Sequence, residues 1–203
     1  MEGSNSAKDF GGEHKIRTFI AVPVTDEARA AVSGIEDELK RTGANVKWVE
    51  PGNVHITLKF LGDTKTRQIE DMVAALREKL AGAKCFDLVL SGAGTFPPGR
   101  RNLRVVWVGL AEGRDLLAEL AGRVEDACAL QGFAKEGRPF SAHLTVGRVR
   151  PGSHGLGDLA QKVKEVAFNP LKVKVDRVNL LRSELSPKGP TYTVLESFFL
   201  EQS

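Results

Sequence analysis

The sequence predicts an α+β fold built from two related halves. It is bilobal and pseudo-two-fold, with two mainly antiparallel sheets lining a central cleft and the helices outside. Three observations support this. Short alternating strands with hairpin-like neighbours are interrupted by amphipathic helices, an order that suits α+β packing better than a doubly wound parallel sheet. A His-apolar-Thr-apolar frame occurs twice, at His55-Ile56-Thr57-Leu58 and, 88 residues later, at His143-Leu144-Thr145-Val146. Each frame is also preceded by an apolar strand at the same distance: Thr18 lies 37 residues before His55, and Val106 lies 37 residues before His143.

Taken in order, residues 1–14 are polar and Gly-rich and read as a disordered extension or cloning remnant, which removes His14 from the chemistry. Residues 15–203 read as a single bilobal domain. Ile16 to Val24 is a nearly all-apolar central strand. Thr25 is a fitting N-cap for a helix with acids in its first turn and apolar residues at Ala28, Ala31, Val32, Ile35 and Leu39, ended by Gly43. Val46 to Val49 is a short strand, Glu50 to Asn53 a turn. In the strand that follows, Val54, Ile56, Leu58 and Phe60 share one face while His55, Thr57 and Lys59 share the other.

Thr64 to Leu80 reads as a second helix, with Ile69, Met72, Val73, Leu76 and Leu80 on one stripe. Phe86 to Leu90 is a strand, and the Gly- and Pro-rich stretch after it reads as a loop carrying Arg100, Arg101 and Arg104. Leu103 to Leu110 is strongly β-like, Asp115 to Leu130 is a third helix, and Phe140 to Val149 is the second His strand. A charged helix over Leu156 to Val166, an alternating strand over Leu171 to Leu181 and a last strand over Tyr192 to Leu200 complete the chain.

With 203 residues, 41% apolar and 27% charged, the chain can form a core without disulfide or metal staples. A net charge of +3 and a pI near 8.9 suit an anionic ligand but fall short of a DNA-coating protein. Cys85 and Cys128 have no Cys-x-x-Cys spacing and read as reduced, buried residues. No run of apolar residues is long enough to span a membrane and no apolar secretory core opens the chain, so a cytoplasmic protein without membrane association is expected. No exposed dimer seam is evident, which predicts a monomer.

In each His strand the imidazole and the hydroxyl project from one face, one pleat apart. An imidazole titrates near pH ~6.5, so close to neutrality one of two such rings is protonated while the other is free to accept. Around a phosphate, the neutral ring takes a proton from the attacking oxygen, the charged ring protonates the leaving oxygen, and the Thr hydroxyls hold the non-bridging oxygens. This scheme needs no metal or other cofactor. A zinc hydrolase would need a third ligand, for which only His154 or an unidentified acid is at hand. No Gly-x-Ser-x-Gly or Walker-type motif occurs.

Those residues carry a resemblance. His55 to Gly62, reading HITLKFLG, and Phe140 to Arg148, reading FSAHLTVGR, resemble the two motifs of the 2H phosphoesterase superfamily, within it the RNA 2′,3′-cyclic phosphodiesterases, also called 2′-5′ RNA ligases. Ala142 stands where that family often has Pro. Arg17 to Val22, Val46 to Val49, Gly94 to Pro97 and Leu180 to Leu185 agree as well, so the likeness runs from about Ile16 to Leu200. It implies an enzyme acting on an RNA 3′ end or cyclic-phosphate nucleotide, hydrolysing a terminal 2′,3′-cyclic phosphate to a 2′-phosphomonoester, with 2′-5′ ligation as the reverse. By the same resemblance His55 is the proton donor and His143 the acceptor, with Thr57 and Thr145 on the phosphate. Residue chemistry alone leaves these roles symmetric.

Arg148 has two readings. Strict alternation sets it opposite His143, a structural position, whereas a bulge at Gly147 would turn it toward the substrate. Lys59 reads as a solvated strand residue, and Arg100, Arg101 and Arg104 as a solvated patch rather than an RNA track. Two alternatives keep much of this set: a phosphodiesterase for 2′-5′-linked oligonucleotides or small cyclic nucleotides, and a nucleotide- or RNA-binding module without turnover.

Overall fold

A computed structural model describes residues 14–99, 102–187 and 189–202. Residues 1–13 of the extension expected over 1–14, and Arg100 and Arg101, lie outside them. His14, assigned to that extension, is tied to the fold: its carbonyl accepts the Thr66 backbone N–H at 3.1 Å.

Phe19 to Val22 form a continuous apolar run because β1 (Lys15–Pro23) is flanked on both edges. On one side lies β3 (His55–Lys65). On the other lies β8 (Arg177–Ser186), followed by β9 (Gly189–Phe199), giving an antiparallel sheet in the order β3-β1-β8-β9. The second antiparallel sheet runs β2 (Val46–Trp48), β6 (Leu144–Val149), β5 (Val105–Glu112), β4 (Phe86–Phe96), β7 (Leu171–Val175). In each sheet the His-bearing strand is the antiparallel neighbour of the apolar strand that precedes it in sequence, β3 beside β1 and β6 beside β5. The duplicated, two-sheet α+β architecture is therefore as the sequence predicts.

Helix α1 (Asp26–Lys40) opens on Thr25, whose Oγ1 accepts the Ala28 N–H at 3.2 Å. Helices α2 (Gln68–Leu80) and α3 (Arg114–Leu130) pack on each other, with Met72 Sδ and Cys128 Sγ 3.9 Å apart. Helix α4 (Leu156–Glu165) lies against β4. Both cysteines are buried thiols outside any disulfide, and burial pushes the Cys128 thiol up to about 12. Among the described residues no helix is long and apolar enough to cross a membrane.

Four sequence expectations change. The second helix starts at Gln68, not Thr64, because Thr64 is fully buried in β3 with its Oγ1 2.7 Å from that of Thr18. The strand at Phe86 continues to Phe96: Gly94 sits opposite Trp107, and a side chain there would overlap the indole. The strand expected over Leu171 to Leu181 is two strands in different sheets. Val173 and Val175 are buried on odd positions and Val178 and Leu180 on even ones, the change falling where the chain crosses between sheets at Asp176. Finally, the second His strand is assigned only from Leu144, since β5 offers it no partner beyond Val108.

The changes that matter most for function are bulges. Against β1, Ile20 pairs with Lys59 and Ala21 with Thr57, leaving Leu58 as an extra residue. Alternation reverses there. Phe60, expected in the core, is 55% exposed, while Lys59, expected in solvent, is 4% exposed. Its ammonium donates to the Ala134 carbonyl at 2.7 Å and pairs with Glu125 at 2.9 Å and Glu136 at 3.6 Å. Breaking a buried pair strands its partner at roughly 3–5 kcal/mol. Lys59→Met is therefore expected to lower unfolding free energy by about 3 kcal/mol in a denaturant titration. Phe60→Ala should change it by less than about 1 kcal/mol. The alternation read from sequence predicts the opposite order.

Candidate active site

A turn of 3₁₀ helix, Pro51–Asn53, delivers the chain to His55. The Asn53 side chain donates to the Pro190 carbonyl at 2.8 Å, anchoring the turn to β9. The Asn53 carbonyl lies 2.6 Å from His55 Nδ1. A carbonyl only accepts, so Nδ1 carries the proton and Nε2 of the neutral ring is the free base. Thr57 Oγ1, 3.0 Å from Nε2, then donates to it. Phe19 at 4.9 Å and Tyr192, edge-on at 5.4 Å, both pack against the ring and meet each other at 4.8 Å.

His143 repeats the arrangement. Its Nδ1 donates to the Ser141 carbonyl, again two residues earlier, at 2.8 Å, and Phe96 meets the ring edge-on at 5.2 Å. Both imidazoles are thus locked in the same tautomer by the same local contact.

A cavity of about 60 Å³ is lined by His55, Thr57, Phe60, Thr145, Arg148 and Tyr192. A larger one of about 670 Å³ is lined by His143 and shares Thr57, Phe60, Thr145 and Arg148 with the first. The structure therefore brings both sequence motifs to one continuous cleft. Arg148 joins them because β6 does bulge: Trp107 pairs with Thr145 and Val106 with Gly147, so Val146 is the extra residue and Arg148 falls on the Thr145 face. Gly147 matters for a second reason, since a side chain there would collide with Val46 and Trp48. The Arg148 side chain makes no hydrogen bond or ion pair among the described residues.

Arg104 is exposed and lines neither cavity. Among the described residues no three His, Cys, Asp or Glu side chains are grouped so as to hold a metal, and His154 lies outside the cleft. Sequence reasoning missed Phe60, which the bulge turns outward, and Tyr192, the only tyrosine in the chain. Tyr192 comes from the far edge of the sheet, and no local motif marks it.

Burial lowers the pKa of His55 from its ordinary value. The Asn53 carbonyl opposes this, and the positive charge of Arg148 adds to it. Burial likewise raises Tyr192.

Two interlocked antiparallel sheets facing each other across a cleft, each presenting His and Thr, define a duplicated 2H-type phosphoesterase scaffold. The 2′-5′ RNA ligase superfamily profile matches residues 24–187. The chain is 41% identical over 190 residues to the RNA 2′,3′-cyclic phosphodiesterase of Methanothermobacter thermautotrophicus, covering 92% of this chain and 100% of that one. To the protein of the same name from Archaeoglobus fulgidus it is 38% identical, covering 90% and 99%. A crystal structure from Thermus thermophilus superposes with a TM-score of 0.75 at 28% identity, covering 92% and 99%. Escherichia coli LigT complexed with 3′-AMP shares the fold, with a TM-score of 0.72 at 24% identity over 92% and 99%. The chain belongs to the 2′-5′ RNA ligase superfamily.

The electrostatic coupling is directly testable. Removing the cation in Arg148→Gln should raise the pH at which the His55 ring titrates, followed by its imidazole resonances in NMR. An unchanged or lower midpoint would mean that Arg148 does not bear on His55.

Proposed function

We propose that this chain hydrolyses the terminal 2′,3′-cyclic phosphate of RNA to a 2′-phosphomonoester by two-histidine acid and base catalysis without a metal. The observation that carries this is the repeated clamp: two imidazoles, each with Nδ1 given to a backbone carbonyl, line one cleft floored by two Thr hydroxyls and an unpaired Arg. The names of the relatives support the substrate class.

In this reaction a water oxygen attacks phosphorus and its proton passes to the free Nε2 of one His. The bond from phosphorus to the 3′ oxygen breaks, and that oxygen receives the Nε2 proton of the other, charged His. Thr57, Thr145 and Arg148 stabilise the charge on the non-bridging oxygens. Family resemblance gives His55 the donor role. Its lowered pKa leaves it neutral in the empty cleft, so it takes up its proton with the substrate: the phosphate anion offsets Arg148 and raises the ring's pKa. The exposed Phe60 ring offers a flat surface on which a base stacks. With a 5′-hydroxyl in place of water, the same transfers form a 2′-5′ bond and leave a 3′-hydroxyl.

Hydrolysis of an RNA ending in a cyclic phosphate should persist in chelator. His55→Ala or His143→Ala should lose about 10²-fold or more in kcat, and Thr57→Ala or Thr145→Ala on the order of tenfold to a hundredfold. Binding without release of monoester would overturn the enzymatic reading in favour of a binding module. Loss of all activity in chelator would overturn the metal-free mechanism.

The pH profile tests the donor assignment. A donor must be protonated, so activity falls as pH rises through the pKa of His55. That pKa is lower in the free chain than in the complex. The alkaline limb of kcat/KM should therefore lie at lower pH than the alkaline limb of kcat. Coincident limbs would refute proton uptake with the substrate.

A further inference from the structure

A third cavity, of about 610 Å³, opens on the opposite side of Arg148 and Tyr192, which line both it and the small catalytic cavity. One wall is α1. Glu36 sits there beside Ile35 and on the face of Val32 and Leu39, where helical periodicity calls for an apolar residue. Its side chain is only 5% exposed, and its nearest cation, Lys40, is 3.8 Å from Oε2 and held by Asp37 at 2.9 Å. Oε1 is buried and has no hydrogen-bond partner. A buried acceptor left without a donor is destabilising, and a turn of the Glu36 side chain toward the cavity it lines relieves this when a donor arrives with a ligand.

The other walls narrow the ligand's chemistry. Trp48 presents an indole. Lys47 and Arg150 lie at the rim and, like Arg148, have no ion-pair partner among the described residues. An unsatisfied carboxyl oxygen asks for N–H donors, an aromatic wall for a flat ring, and free cations for a phosphate. A nucleotide supplies all three, and the cavity is large enough for one.

We propose that this cavity is a subsite for the penultimate nucleoside of the RNA, its base donating N–H groups to the Glu36 carboxyl and its 3′-phosphate lying along Arg148 and Arg150. The proposal rests on the phosphodiesterase reading above, since Arg148 is then shared between the cyclic phosphate and the linkage just before it. It also predicts a base preference. Burial raises the Glu36 carboxyl to about 7, against the opposing charge of Lys40 and with Asp37 and Glu50 adding to it. Among the described residues the remaining charges lining the cavity are Lys47, Arg148 and Arg150, and the titratable group on the hairpin wall is Tyr192. The ionised carboxylate offers two adjacent acceptors, which match the N1–H and N2–H donors of guanine. The protonated acid offers one donor and one acceptor, which suits bases that present one of each. Guanine should therefore gain over uracil as pH rises through about 7.

The test compares three ligands: adenosine 2′,3′-cyclic phosphate, and the same nucleotide extended on its 5′ side by guanosine or by uridine. Affinities are measured by calorimetry on His143→Ala, which binds without turnover, and kcat/KM on the native chain. The guanosine-extended ligand should exceed the mononucleotide on the order of tenfold in both, as one well-made base contact gives. The guanosine-to-uridine ratio should rise between about pH 6 and pH 8 and go flat in Glu36→Gln. In Arg150→Ser the advantage of both extended ligands should shrink. Equal affinity for all three ligands, or ratios unchanged in both variants, overturns the subsite. Failure of the native chain to turn over any of the three, with the affinity differences intact, overturns the phosphodiesterase reading and leaves the subsite standing.

Discussion

The ammonium of Lys59 ties together the two halves of the cleft that holds both His-Thr pairs. It sits in β3, two residues after Thr57, yet all its partners belong to the second half: Glu125 on α3, and Ala134 and Glu136 on the loop leading to His143. Glu125 is itself largely buried and also accepts the Glu136 backbone N–H at 3.3 Å. Removing a cation from water is costly and is offset only when its donors are met in good geometry. The segment before His143 is therefore not free to drift relative to β3, and the two Thr hydroxyls keep a common target.

Within that frame the halves are alike in one respect and different in another. Each imidazole gives Nδ1–H to the carbonyl two residues before it, so each aims Nε2 at the cleft without help from a carboxylate. Their surroundings differ. His55 packs against both Phe19 and Tyr192, is bonded to Thr57 and feels Arg148, whereas among the described residues the ring against His143 is Phe96. Symmetric motifs cannot by themselves separate an acid from a base. In the proposed mechanism the unequal packing of the two rings is the difference that separates acid from base.

Much of this was legible in the sequence because it is periodic. The paired frames, the helices at Thr25 and Asp115, and the order of elements within each half all follow from local patterns that the structure keeps. What stayed hidden are the places where the period breaks. A single extra residue at Leu58 moves Phe60 from core to cleft and Lys59 from solvent to interior, and Val146 does the same for Arg148. A bulge is a property of two paired strands, so one strand's alternation does not announce it, although Gly147 hinted at the second. The exchange of β2 into the second sheet and of β8 and β9 into the first was equally invisible, being a matter of long-range pairing. Tyr192 reaches the site only through that exchange.

Arg148 shows why an unpaired charge is retained at the centre of such a cleft. It is exposed, so leaving it without a carboxylate costs little in stability, and a salt bridge there would add little either. Its effect is on His55, whose imidazolium it disfavours while the cleft is empty. An anion that neutralises Arg148 removes that penalty, and by reciprocity a protonated His55 binds the anion more tightly. Proton and phosphate thus favour one another, whereas a neutral ligand gains nothing from the arrangement. A carboxylate beside Arg148 would have cancelled the same field permanently, leaving burial alone to disfavour the His55 imidazolium and an arriving anion with less to relieve. In the proposed mechanism a free guanidinium lets an arriving anion shift His55 toward its charged form.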